Sequence, residues 1–115
     1  MSASFFGTDG IRGSVSLETV DEEESIRLIE HERTLTPAFM RLVGEALSYT
    51  RPALPGEGEA VVVGWDRRPG NAALVAALTL GLRLTGSHVI HIGECATPTL
   101  HHAVLAFDAR AGCMI

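Results

Sequence analysis

Two short stretches hold the residues best suited to grip an anion. In FGTDGIRG, Phe6 to Gly13, three glycines and the Thr8 hydroxyl surround a turn, and Arg12 stands just past it. In DRRPGN, Asp66 to Asn71, Arg67 and Arg68 precede an expected helix N-terminus, itself a favourable place for negative charge. All nine basic residues of the chain are arginine. Any phosphate grip must therefore use the planar, bidentate guanidinium or backbone N–H groups. Each stretch also has a plainer reading. Asp9-Gly10 between apolar residues is a strong hairpin signal, and glycine serves such a turn whatever lies beside it. Arg67 and Arg68 read equally as solvated loop arginines, with Asp66 pairing one of them.

Other chemistries find less support. His88 and His91 stand three apart in an expected strand and point to opposite faces, and the adjacent His101 and His102 diverge on a helix. No spacing matches a zinc site, so no metal ligand is assigned in the chain. Neither a dinucleotide-binding glycine fingerprint nor a P-loop is present, and nothing marks a nucleophile elbow. Cys95 and Cys113 form no C-x-x-C pair and read as free, mostly buried thiols. A net charge of −5 disfavours a nucleic-acid partner. No apolar run reaches the length of a membrane span, and MSASFFGTDG has neither a basic nor an apolar leader region. The expected setting is the cytoplasm, with no membrane partner.

The elements that must position these residues follow from periodicity. The opening FF…SV reads as two short extended pieces around Asp9-Gly10, expected to add strands at one side of a sheet. The stretch from about 14 to 33 reads as a solvated, partly ordered acidic insertion. A surface helix from about Val20 to Arg33, opened by a Thr19/Glu22 capping box, is the alternative. Thr36-Pro37 is an N-cap followed by proline, and Phe39, Met40, Val43, Ala46 and Leu47 recur at helical spacing through about Thr50. Pro52 to Gly58 is a loop. Ala60 to Val63 is a β-branched apolar run, a strand buried on both faces. Asn71 is expected to cap an apolar helix over Ala72 to Thr85, closed by Gly86. His88 to Ile92 is a second strand, and Thr97-Pro98 opens a helix through about Phe107. Ala111 to Ile115 is a third buried strand. The order strand, helix, strand, helix, strand argues for a three-layer α/β/α sandwich on a mixed, mostly parallel sheet. Ligands of such sheets bind at the carboxyl ends of the strands, where the loops Gly64 to Asn71 and Gly93 to Pro98 belong.

Four landmarks together resemble a known family. FGTDGIRG near the start looks like the opening signature of the α-D-phosphohexomutases, and most like phosphoglucosamine mutases. GWDRR, Gly64 to Arg68, is similar to that family's Gly-Arg-Asp-Thr-Arg loop. GECATP, Gly93 to Pro98, is similar to its Gly-x-x-Pro-Thr-Pro stretch, and AGCMI, Ala111 to Ile115, to its Ala-Gly-x-Met-Ile strand. The resemblance covers nearly the whole chain but only the first of four family domains. It implies that residues 1–115 are phosphohexomutase domain I, incomplete at the C-terminus.

The resemblance implies a phosphoserine carried in a loop following the Met-Ile strand, beyond Ile115. That serine gives its phosphoryl group to a hexose phosphate, a bisphosphate turns over in the site, and a phosphoryl group returns to the serine. Arg12 matches the family arginine beside the phosphoserine, and Gly7, Thr8, Asp9 and Gly10 shape the turn presenting it. Asp66 and Arg68 match the second landmark, in a more structural role. Mg²⁺ is expected for the full-length enzyme, bound by aspartates of the second domain and by no residue of this chain. The expectation is thus an N-terminal fragment of a phosphohexose mutase, inactive alone and prone to self-association. A phosphoglucomutase or phosphomannomutase, or a non-catalytic anion-binding or regulatory module derived from the same domain, is the alternative. The chain departs from the family pattern at Trp65, Arg67, Ala96 and Pro69-Gly70-Asn71, and its 14–33 segment is longer and more acidic.

Overall fold

The computed structural model describes the backbone of residues 6–7, 10–11, 13–50 and 60–115, and the side chains of 13–47 and 60–115. Three strands form its main sheet. β5 (Ala60–Trp65) lies between β6 (His88–Glu94) and β7 (Ala111–Met114), parallel to both. The β-branched run in β5 explains its central place. Val61, Val62 and Val63 are at most 1% exposed, so side chains on both faces leave water. One face carries the helix α3 (Asn71–Leu84), and α2 (Pro37–Thr50) packs along α3. The other carries α4 (Thr97–Ala106), whose Leu100 and Val104 approach Gly64 and Gly112. This is the expected α/β/α layering.

The core on the α3 face joins Val61 and Val63 to Leu74, Val75, Leu78 and Leu82 of α3 and Phe39 and Met40 of α2. Two glycines let α2 and α3 approach closely. A Cβ on Gly81 would stand 2.0 Å from the Arg41 backbone oxygen, and one on Gly44 2.5 Å from that of Leu78. α2 starts as its residues require: the Thr36 hydroxyl accepts from Phe39 N–H at 3.2 Å, and Pro37 holds the first helical position.

The acidic stretch differs from the solvated insertion expected of it. It forms α1 (Glu22–Glu32), and Ile29 at 0% exposure belongs to the core. Leu28 and Ile29 suffice, with Ile26 left exposed, because α1 needs only a narrow contact with α2. Its N-cap is Asp21, whose carboxylate accepts from Glu24 N–H at 2.8 Å, and not Thr19. After α1 the chain forms β4 (Thr34–Leu35), which pairs in parallel with β3 (Ser14–Val15).

The opening pieces also depart from expectation. β1 (Phe6–Gly7) and β2 (Gly10–Ile11) pair antiparallel with Gly7 opposite Gly10, so a hairpin forms. Yet β1–β2 and β3–β4 are separate two-stranded sheets and do not extend the main one. Two-residue strands have too few ladder bonds to impose themselves on a sheet edge; local pairing suffices for them. β7 is an outer strand of the described sheet and only partly buried, where a buried strand was expected. The expected Pro52–Gly58 loop lies outside the described residues. Among the described residues no helix is long and apolar enough to cross a membrane.

Candidate functional site

β5, β6 and β7 run in the same direction, so their carboxyl ends meet at one edge of the sheet. There the β5–α3 loop folds back on itself around Asp66. The Asp66 carboxylate accepts from Arg68 N–H at 3.1 Å and from Asn71 Nδ2 at 2.5 Å through Oδ1. Its Oδ2 pairs with Arg68 Nε at 3.0 Å. Gly70 closes the turn at φ +88°, a left-handed conformation costly for other residues, and α3 begins at once with Asn71. Asn71 is therefore not the cap the sequence suggests. Gly70 holds that position with no side-chain bond, and the Asn71 amide is turned inward.

The same loop holds the end of β7. Asp66 N–H donates to the Ile115 backbone oxygen at 3.1 Å, Ile115 N–H donates to Gly64 O at 3.0 Å, and Asn71 Nδ2 lies 3.3 Å from the Ile115 oxygen. Across the edge, β6 carries one extra residue opposite the Val63–Gly64 step, which brings Glu94 opposite Trp65. Glu94 then pairs with Arg67 at 2.8 Å, and Cys95 N–H donates to Trp65 O at 3.0 Å. Asp66, Arg67, Glu94 and Cys95 line an open depression of about 310 Å³.

The charges in this depression decide what it can hold. Arg67 is 88% exposed at its side chain and its bond to Glu94 is surface-screened, so an anion competes with Glu94 at little cost. The Asp66 carboxylate is already engaged, accepting from one backbone and two side-chain donors. Among the described residues no three of His, Cys, Asp or Glu gather to hold a metal.

Cys95 and Cys113 are both free and partly buried. Desolvation pushes the Cys113 thiol, on β7, up to about 11. Its neighbourhood is inert, because the thiolate is the reactive form. Trp65 meets the exposed His91 edge-on with ring centres 5.6 Å apart, and His91 Nε2 bonds the Thr79 hydroxyl at 2.8 Å. His91 thus has a packing and hydrogen-bonding place.

Of the residues singled out from the sequence, Asp66 and Arg68 are together in one turn at the sheet edge. Gly7 and Gly10 face each other in the β1–β2 pair. Thr8, Asp9 and Arg12 lie outside the described residues. Gly13, the last residue of the same motif, is tightly placed: a Cβ there would stand 2.0 Å from the Arg33 oxygen, which accepts from Ser14 N–H. Sequence reasoning missed Asn71 and Glu94 as members of the site. Their partners, Ile115 and Arg67, are 44 and 27 residues away in the chain. The only signal was that both fall within the loops expected at strand carboxyl ends, Gly64 to Asn71 and Gly93 to Pro98.

Residues 3–115 match the model of the phosphoglucomutase/phosphomannomutase alpha/beta/alpha domain I. Curated relatives agree. A phosphoglucosamine mutase of Frankia alni is 38% identical over 96% of this chain, which spans 22% of that protein. One from Aromatoleum aromaticum is 33% identical over 100% of the chain and 23% of its own length. One from Streptococcus pneumoniae is 34% identical over 96% and 21%. The chain thus spans about a fifth of the length of the curated relatives it matches. No solved structure matches it significantly.

Proposed function

The chain belongs to the phosphoglucomutase/phosphomannomutase family, in which it is domain I, and from this premise we propose that it is the N-terminal part of a phosphoglucosamine mutase-like enzyme. The reaction interconverts 6-phospho and 1-phospho hexoses. The observation that carries this reading is 33–38% identity to proteins named phosphoglucosamine mutase over nearly the whole chain.

In this reading a phosphoserine follows β7. A hydroxyl of the hexose monophosphate attacks its phosphorus; the P–O bond to serine breaks, the serine oxygen takes up a proton, and a hexose bisphosphate forms. After the bisphosphate reorients, the serine hydroxyl attacks the other phosphoryl group; the P–O bond to the sugar breaks, the sugar oxygen takes up a proton, and the phosphoserine is regenerated. Such transfers depend on placement and charge neutralisation. Arg12 lies beside the phosphoserine and supplies a guanidinium to its oxygens, with Gly7, Thr8, Asp9 and Gly10 shaping the turn that carries it. Asp66 and Arg68 brace the loop against which the end of β7 rests. Mg²⁺ is expected in the full-length enzyme, and no step is routed through it.

The 115 residues alone are proposed to be inactive. The test is a mutase assay with glucosamine 6-phosphate and with glucose and mannose 6-phosphates. It compares the full-length protein with the 115-residue chain. Turnover is expected only from the full-length protein, fastest on the glucosamine substrate, and lowered about 100-fold or more by Arg12→Ala. Equal turnover by the 115-residue chain would overturn the reading.

A further inference from the structure

Asn71 opens α3 but does not serve it as a cap. Its side chain is buried at 7% exposure, and Nδ2 faces three oxygens: Asp66 Oδ1 at 2.5 Å, Asp66 backbone O at 3.3 Å and the Ile115 backbone oxygen at 3.3 Å. The Ile115 oxygen also accepts from Asp66 N–H. The end of β7 is therefore held by a backbone ladder and by one buried amide that is itself held by Asp66. A buried amide has two hydrogens and a fixed plane, so it orients what it bonds.

We propose that Asn71 is a positioning residue, an amide clamp that orients the segment following Ile115. The catalytic consequence rests on the mutase reading, in which that segment carries the phosphoserine. A nucleophile displaced by about 1 Å loses on the order of 100-fold in rate. The role requires an amide. Aspartate has the same shape but no hydrogens to donate, and it would set a carboxylate against that of Asp66.

Asn71→Ala and Asn71→Asp in the full-length protein test the clamp. Both are expected to lower kcat about 10- to 100-fold with KM changed less than about threefold, and the isosteric aspartate is at least as damaging as alanine. Hydrogen exchange is expected to speed up at the amides of Asp66 and Ile115 but not at Leu78 in mid-helix. Wild-type kcat in Asn71→Asp would overturn the proposal, as would exchange accelerated equally at Leu78, the mark of general loosening. If the unsubstituted full-length protein shows no turnover, the mutase reading falls and exchange alone decides the clamp. Unchanged protection at Asp66 and Ile115 in both variants would then overturn it.

Discussion

Asp66 gathers three donors at one carboxylate, so its removal leaves Arg68 N–H without its acceptor and the buried Asn71 amide without its nearest one. We expect Asp66→Ala to cost about 1–3 kcal/mol, read as a fall in Tm of roughly 5–10 °C. Arg67→Ala, by contrast, removes only an exposed pair with Glu94 and should change stability by less than about 0.5 kcal/mol. Cys113 gives a prediction in pH. Burial raises its folded value to about 11 from an ordinary 9.0. Above pH 9 the unfolded chain gives up the thiol proton while the folded chain keeps it. Stability present below pH 9 is therefore lost as pH rises toward 11, by about 3 kcal/mol at most. At pH 8 alkylation of Cys113 should be about 100-fold slower in the native chain than in urea, measured by peptide mass. Pairing of Asp66 with a neighbouring arginine was legible from adjacency in DRRPGN. The inward turn of Asn71 was not, because asparagine before an apolar helix signals a cap wherever its tertiary partner is invisible.

At the scale of elements, helix ends separate what local chemistry decides from what packing decides. Thr36-Pro37 reads correctly as the start of α2 because cap and proline act within one turn. Thr97-Pro98 places α4 correctly, but Thr97 lies inside the helix and Ala96 takes the cap position without a side-chain bond. In α1 the carboxylate of Asp21 outcompetes Thr19. Asp21→Ala should therefore destabilise by about 1 kcal/mol, whereas Thr19→Ala should stay within about 0.5 kcal/mol. Reversed effects would restore the capping box. The α2–α3 contact gives the larger prediction. Gly81→Ala drives a methyl group into the Arg41 carbonyl oxygen, and backbone on both helices must move. Its cost is expected to be about 2–3 kcal/mol by denaturant unfolding, far above that of Leu80→Ala on the exposed side of the same helix.

For the whole molecule, exposed apolar groups indicate where further chain or a further copy would lie. Leu105 and Phe107, at the end of α4, are 68% and 53% exposed, and β7 is an outer strand of the described sheet. Such surfaces favour association. The 115-residue chain is expected to form dimers or larger species at high concentration by light scattering, and Leu105→Glu with Phe107→Ser should reduce them. A clean monomer at high concentration would contradict this.

By itself the sequence determined the layer architecture, the parallel order of the elements after Ala60 and the family. These depend on periodicity, on proline and glycine punctuation, and on four motifs, all local properties of the chain. Only the tertiary structure decided that the acidic stretch becomes α1 with Ile29 in the core. It also decided that the opening strands stay off the main sheet and that Asn71 and Asp66 hold the end of β7. The physical reason is the same in each case. A contact between residues tens of positions apart is selected by which surfaces the finished fold brings together, and single-residue propensities carry no record of that partner.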